Sequence, residues 1–233
     1  MPTILLINPN ASARALDMML AAARRSGPED LDLQGVCATG GPSMIVTGDD
    51  LARAAPEVVR LGRAAGAGTA AIIVAAFGDP GLDDLRAATH IPVIGIGEAS
   101  MREAAQGQRR FGIATTTPGL VKAIEAKVVS LGLGAWFTGV RLPPGDPLVL
   151  AATPDRQEQG LAACVDACLT QDGAARVIIG GGPLSESARA LHARFGPAII
   201  EPVPAAMRQV LGVLNRTIQR LQAAPPNTQN DAQ

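Results

Sequence analysis

The chain is 233 residues long, with 47% hydrophobic residues, 2% aromatics and a formal net charge of −1. That length and apolar fraction suit a substantial core, in one domain or two small lobes, while the near-neutral balance and scarce aromatics exclude the basic, base-stacking surface that nucleic acid selects. "MPTILLINPN" shows no charged leader or cleavage site and no apolar run nears the ~18 residues of a bilayer span, so a cytoplasmic chain with no membrane partner is expected.

Eight short Val/Ile/Leu runs alternate with Ala/Arg/Glu-rich segments of helical character, which predicts a parallel α/β architecture. Ligands of open α/β sheets bind beyond the carboxyl ends of the strands, so the residues after each run are the candidate site. Thr3 to Ile7 is followed by Asn10 and Ser12, neutral hydrogen-bonding groups of which Ser12 also suits a helix cap. Leu31 to Val36 runs into Cys37. Ala70 to Ala75 leads to Ala76, Phe77, Gly78, Asp79 and Pro80, and Pro92 to Ile96 leads to Glu98. Arg110 to Ala114 is followed by Thr115, Thr116 and Thr117, and the sixth run is Phe137 to Val140. Arg176 to Ile179 ends in Gly180, Gly181, Gly182 and Pro183, and Ala198 to Ile200 ends at Glu201. From Ala223 to Gln233 apolar periodicity is lost, and a disordered tail is expected.

The chain also repeats itself. Ile7 and Ile113, in "LLIN" and "FGIA", and Met101 and Met207, in "EASM" and "PAAM", share an offset of about 106 residues, and Pro80 and Pro183 fit after a short gap. Two pseudo-equivalent lobes follow: residues 1–97, completed by a C-terminal helix over 204–222, and residues 98–203. An interlobe cleft is the natural ligand site. In that pairing Ala76 of one lobe answers Gly181 of the other.

The glycine run admits three readings: a phosphate cradle, a plain turn, or a position from which a reactive side chain is missing. A phosphate loop needs Lys and Ser/Thr after its last glycine, where Pro183 and Leu184 stand, and "GIGEAS" lacks the final glycine of a dinucleotide fingerprint. Pro80 and Pro183 suit first helical positions, which places Phe77 to Asp79 and Gly181 to Gly182 at helix N-termini that favour a carboxylate or cyclic imide. Asp79 is the candidate general base and equally suits an N-cap ahead of Pro80. Glu98 and Glu201, at near-equivalent strand ends, are further candidate catalytic carboxylates or plain helix-end charges. His90 and His192 read as structural. Cys164 and Cys168, four apart in a helical pattern with no histidine beside them, read as core rather than metal ligands, and neither metal nor cofactor is expected.

"INPNAS" from Ile7, "CATGGP" from Cys37, "AAFGDPGL" from Ala75, "PVIGIGEAS" from Pro92 and "VIIGGGPL" from Val177 together resemble the aspartate/glutamate/hydantoin racemase superfamily, in particular its hydantoin and allantoin racemase branch. The resemblance runs from Thr3 to about Gln222 and implies a two-lobed pseudosymmetric α/β fold with the active site between the lobes. It also implies a cysteine at the strand end of each lobe, one thiolate removing the proton α to a carbonyl while the opposite thiol delivers one. Those positions carry Ala76 and Gly181 here, so the two-thiol mechanism does not transfer. What is expected is an enzyme acting on a small carboxylate, hydantoin-like or other carbonyl compound by cysteine-independent chemistry of isomerase, lyase, decarboxylase or hydrolase type. The alternative, from a different class, is a catalytically silent binding protein of the same fold. The ligand is an anionic or cyclic-imide small molecule, and a homo-oligomer is expected.

Overall fold

The computed structural model describes residues 3–223; beyond Ala223, the tail expected from the sequence lies outside the described residues. Four strands, β1 (Thr3–Asn8), β2 (Asp32–Cys37), β3 (Thr69–Val74) and β4 (Val93–Gly95), form one parallel sheet in the order β2-β1-β3-β4. Four more, β5 (Phe111–Ala114), β6 (Phe137–Arg141), β7 (Arg176–Ile179) and β8 (Ile199–Ile200), form a second parallel sheet in the order β6-β5-β7-β8. The two orders are the same order repeated, which is the pseudosymmetry anticipated from the recurring motifs. All eight apolar runs are strands. The ends differ by a residue or two: Pro92 stays outside β4, since it has no N–H to give a ladder, and Ala198 belongs to a 3₁₀ turn.

The helices are α1 (Ala13–Arg24), α2 (Gly48–Arg63), α3 (Leu82–Ala88), α4 (Ile96–Ala104), α5 (Val121–Ser130), α6 (Pro147–Ala152), α7 (Pro154–Thr170), α8 (Ser185–Phe195) and α9 (Pro202–Ala223). They cover both faces of the sheets, which is why the strands read as continuous apolar runs rather than alternating ones: Ile72, Ile73, Val74, Val177, Ile178 and Ile179 are all fully buried. Burying one such side chain contributes about 1.5–3 kcal/mol. The final helix, α9, returns to the first half of the chain, where Val203, Ala206, Met207 and Val210 are buried and the helix packs on α4, α1, β3 and β4. Caps set the helix starts that matter most for the cleft. The Ser12 hydroxyl accepts from the Ala15 N–H at 3.2 Å, and Thr47 and Asp50 form a reciprocal capping box at the head of α2. Among the described residues no helix is long and apolar enough to cross a membrane.

Candidate functional site

The carboxyl ends of β1 and β3 face those of β5 and β7 across a cavity of about 330 Å³, at the lower end of the ~300–1,000 Å³ typical of small-molecule sites. Both lobes build its wall by the same backbone device. Past the end of β3, the Ala75 N–H donates to Ile7 O at 2.8 Å, and past the end of β7 the Gly180 N–H donates to Ala114 O at 2.8 Å. Ala76 and Gly181, each the next residue, therefore stand at equivalent points of the two sheets, and both line the cavity.

The loop after β1 is shaped by Asn8, whose buried amide donates to Asn10 Oδ1 at 2.9 Å and to Ser12 O at 3.0 Å, while Asn10 Oδ1 accepts from the Ser12 N–H at 2.9 Å. This web turns Asn10, Ser12 and Arg14 toward the cavity. In the second lobe the fully buried Thr115 hydroxyl donates to Gly180 O at 2.6 Å and lies 3.2 Å from that of Thr117. Thr115 thus braces the glycine run from behind, while Thr116 and Thr117 line the cavity. Ser12 is a helix cap; Thr117 makes no side-chain cap bond.

The three glycines divide the work. A Cβ on Gly180 would come within 2.9 Å of the Phe77 ring and 3.0 Å of Ile113, and one on Gly182 would collide with Met19 Sδ and sit 3.0 Å from Ala75 O. At both positions the lobes approach too closely for a side chain. Gly181 differs: at φ 167° and ψ 131° its backbone is extended, open to any residue. Pro183 stands in the first turn of the 3₁₀ helix Gly182–Leu184 that runs into α8, as its sequence position suggested. Phe77, Gly78, Gly182 and Pro183 also line the cavity.

None of the three candidate carboxylates does. Asp79 does not cap the helix that follows Pro80, because α3 begins only at Leu82 behind a left-handed Gly81. Its fully buried carboxylate turns instead to the head of α4, accepting from the Gly97 N–H at 2.8 Å and the Glu98 N–H at 2.7 Å, with Lys127 Nζ of α5 at 3.6 Å. Burial pushes its pKa up to about 6 against the opposing pull of Lys127 and the two N–H groups. The nearness of this carboxylate and of Phe77 O explains glycine at 95 and 97, where a Cβ would strike them. Glu98 is held by Arg86 and Arg102, each at 2.9 Å; burial raises its pKa, but those hydrogen bonds outweigh the effect and keep the carboxyl below its usual range. Glu201 lies 3.3 Å from His192 Nδ1. The two glutamates are not equivalent: Ile94 pairs with Ile73 and Ile200 with Ile178, so Glu201 answers Gly95, and Glu98 sits a turn further on.

The sequence reading missed several wall residues. Met44 follows β2 and was open to the strand-end rule; Gln157, Glu186 and Ser187 sit on helices, with no local signal to mark them. Gln157 Nε2 donates to Ser187 Oγ at 3.1 Å. Arg14 and Glu186 are the only ionisable residues of the wall among the described residues, and no cysteine belongs to it. Cys164 and Cys168 are buried in α7, where burial pushes the Cys168 thiol up to about 12, and Cys37 is half-buried against Asn8 and Ser12 O.

The chain matches the Asp/Glu/Hydantoin racemase family over residues 4–210. It is 31% identical over 212 residues to a hydantoin racemase of Rhizobium meliloti, an alignment covering 90% of this chain and 87% of the relative. An allantoin racemase from Klebsiella pneumoniae superposes with a TM-score of 0.87 at 27% identity, over 93% of this chain and 89% of that one. Glutamate racemase RacE1 from Bacillus anthracis shares the fold, with a TM-score of 0.68 at 15% identity over 93% of this chain and 82% of that one. Two sheets of repeated strand order enclosing one cavity between them, together with a family match over nearly the whole chain, place this protein in the Asp/Glu/hydantoin racemase family.

Proposed function

We propose that this chain binds a small hydantoin-like imide or carboxylate in the interlobe cleft and does not interconvert its mirror forms by thiol chemistry. The observation that carries the reading is the makeup of the cavity wall. Inversion of a carbon acid needs a proton carrier on each face of the carbon, and the equivalent points on the two faces are a methyl group, Ala76, and a hydrogen, Gly181. The remaining wall offers neutral donors and acceptors, Asn10, Ser12, Thr116, Thr117 and Gln157, suited to ring carbonyl and amide groups, against the apolar Met44, Leu51, Phe77 and Leu184.

A second reading, lyase or hydrolase chemistry on a bound carbonyl, is favoured by one feature: Gly78 and Gly182, one from each lobe, line the cavity and their N–H groups donate to no acceptor among the described residues, which leaves them free to serve as oxyanion-stabilising groups. Calorimetric titration with 5-alkylhydantoins, followed by chiral chromatography and product analysis of the same mixtures, separates the readings. Binding is expected, lost in Ala76→Trp, which fills the cavity, with no inversion above the uncatalysed rate. Inversion that iodoacetamide abolishes and a ligand protects would overturn the first reading, and a stoichiometric new product would establish the second.

A further inference from the structure

Of the two ionisable residues on the wall, only one has a charge to spare. Glu186 is met by Arg25 at 3.1 Å through one carboxylate oxygen and by Arg189 at 3.2 Å through the other. Arg14, in the first turn of α1, makes no ion pair or hydrogen bond with any described residue. No acidic residue shares that first turn, so the guanidinium adds to the positive end of the helix instead of being offset by it. The mouth of the cleft therefore holds one positive charge with no ion-pair partner among the described residues, beside a wall whose other ionisable residue, Glu186, is already paired.

We propose that Arg14 grips a carboxylate of the bound ligand, so that the compound this cleft selects is an acid bearing an amide or imide ring and not a neutral imide. The inference rests on the ligand class proposed above and narrows it. A guanidinium suits this task because its fork of N–H donors matches the two oxygens of a carboxylate, and a charge-assisted pair at a partly enclosed mouth is stronger than a neutral hydrogen bond. The ring amide and carbonyl groups are then left to the neutral residues deeper in the wall.

The test uses two nearly isosteric probes, one charged and one neutral, hydantoin-5-acetic acid and hydantoin-5-acetamide, titrated calorimetrically into the whole protein at neutral pH and low salt. The acid is expected to bind about tenfold more tightly than the amide. Arg14→Gln should bring the acid down to the level of the amide and leave the amide within about twofold of wild type, and Arg14→Lys should keep part of the preference. Thermal melts check that both variants are folded, as an exposed side chain allows. Equal affinities in the wild type, or a preference that survives Arg14→Gln, would overturn the role of Arg14 while leaving the hydantoin-binding reading standing. If neither probe binds, that reading fails and this one with it.

Discussion

Ala76 and Gly181 are each one residue past the last ladder bond of their strands, and what they could carry differs from what their neighbours could. The atoms nearest to a Cβ on Gly181 belong to the Leu184 side chain, Cγ at 3.0 Å and Cδ1 at 3.1 Å, and no backbone atom is among them, so a shift of that side chain by a few tenths of an ångström makes room. Ala76→Cys with Gly181→Cys should therefore fold and place two thiols on one cavity, the one at 181 at the head of the 3₁₀ helix Gly182–Leu184, where a thiolate is favoured. Inversion at C5 of a hydantoin with uptake of solvent deuterium, followed by chiral chromatography and NMR, is expected at least about tenfold faster in the double variant than in either single one, because a lone thiol can exchange the proton on one face only. No exchange above wild type in a folded double variant would contradict the equivalence of the two points. Gly182→Ala serves as the contrast. Its methyl would press on Met19 and Ala75 O, so urea denaturation should show a loss of about 1–3 kcal/mol, against less than ~0.5 kcal/mol for Gly181→Ala.

Among the elements, the junction of the β3 loop with α4 carries a pH dependence of its own. The folded-state pKa of Asp79 is about 6, above the ordinary 3.8, so folding binds its proton more tightly than the unfolded chain does. Its contribution favours folding below about pH 4 and is lost as the pH rises through 6, by at most about 3 kcal/mol. Asp79→Asn cannot titrate. Its melting temperature should therefore gain on that of wild type as the pH is raised from about 4 to about 7. Asp50 and Glu57, whose carboxyls hydrogen bonds hold at about 2, give the opposite trend in both proteins and cancel from the comparison. A constant offset between the two melting curves would mean that Asp79 keeps an ordinary pKa despite its burial. At the head of α2, Thr47→Ala should cost about 1 kcal/mol, read as a lower urea midpoint, because the capping box loses its hydroxyl.

At the scale of the molecule, the strands and their duplication were legible because a parallel sheet covered on both faces writes each strand as an unbroken apolar run, and the second sheet repeats the first. The motif-bearing wall was legible for the same reason: Asn10, Ala76, Phe77, Thr116 and Gly181 all follow such runs. Arg14, Gln157 and Ser187 were not, since a helical residue faces a cleft only by virtue of how whole helices pack. The carboxylates misled for a related reason. Asp79 precedes a proline, which suggests a local cap, yet its partners lie 18 and 19 residues ahead, with Lys127 further still. Local sequence shows that a residue can cap a helix without showing which helix it will meet.

The interlock of Phe77 over Gly180 and Met19 over Gly182 has a calorimetric consequence. Those contacts fix the separation of the two halves when the chain folds, before any ligand arrives, so uptake needs little reordering of the backbone. A preformed cavity walled largely by Met, Leu, Ala and Phe holds its water poorly. Ligand uptake near 25 °C should then be driven by enthalpy, with a negative heat-capacity change proportional to the apolar area covered. Titrations at several temperatures measure both quantities. A large unfavourable entropy with a heat-capacity change far beyond the ligand's own surface would show instead that the halves close around their guest.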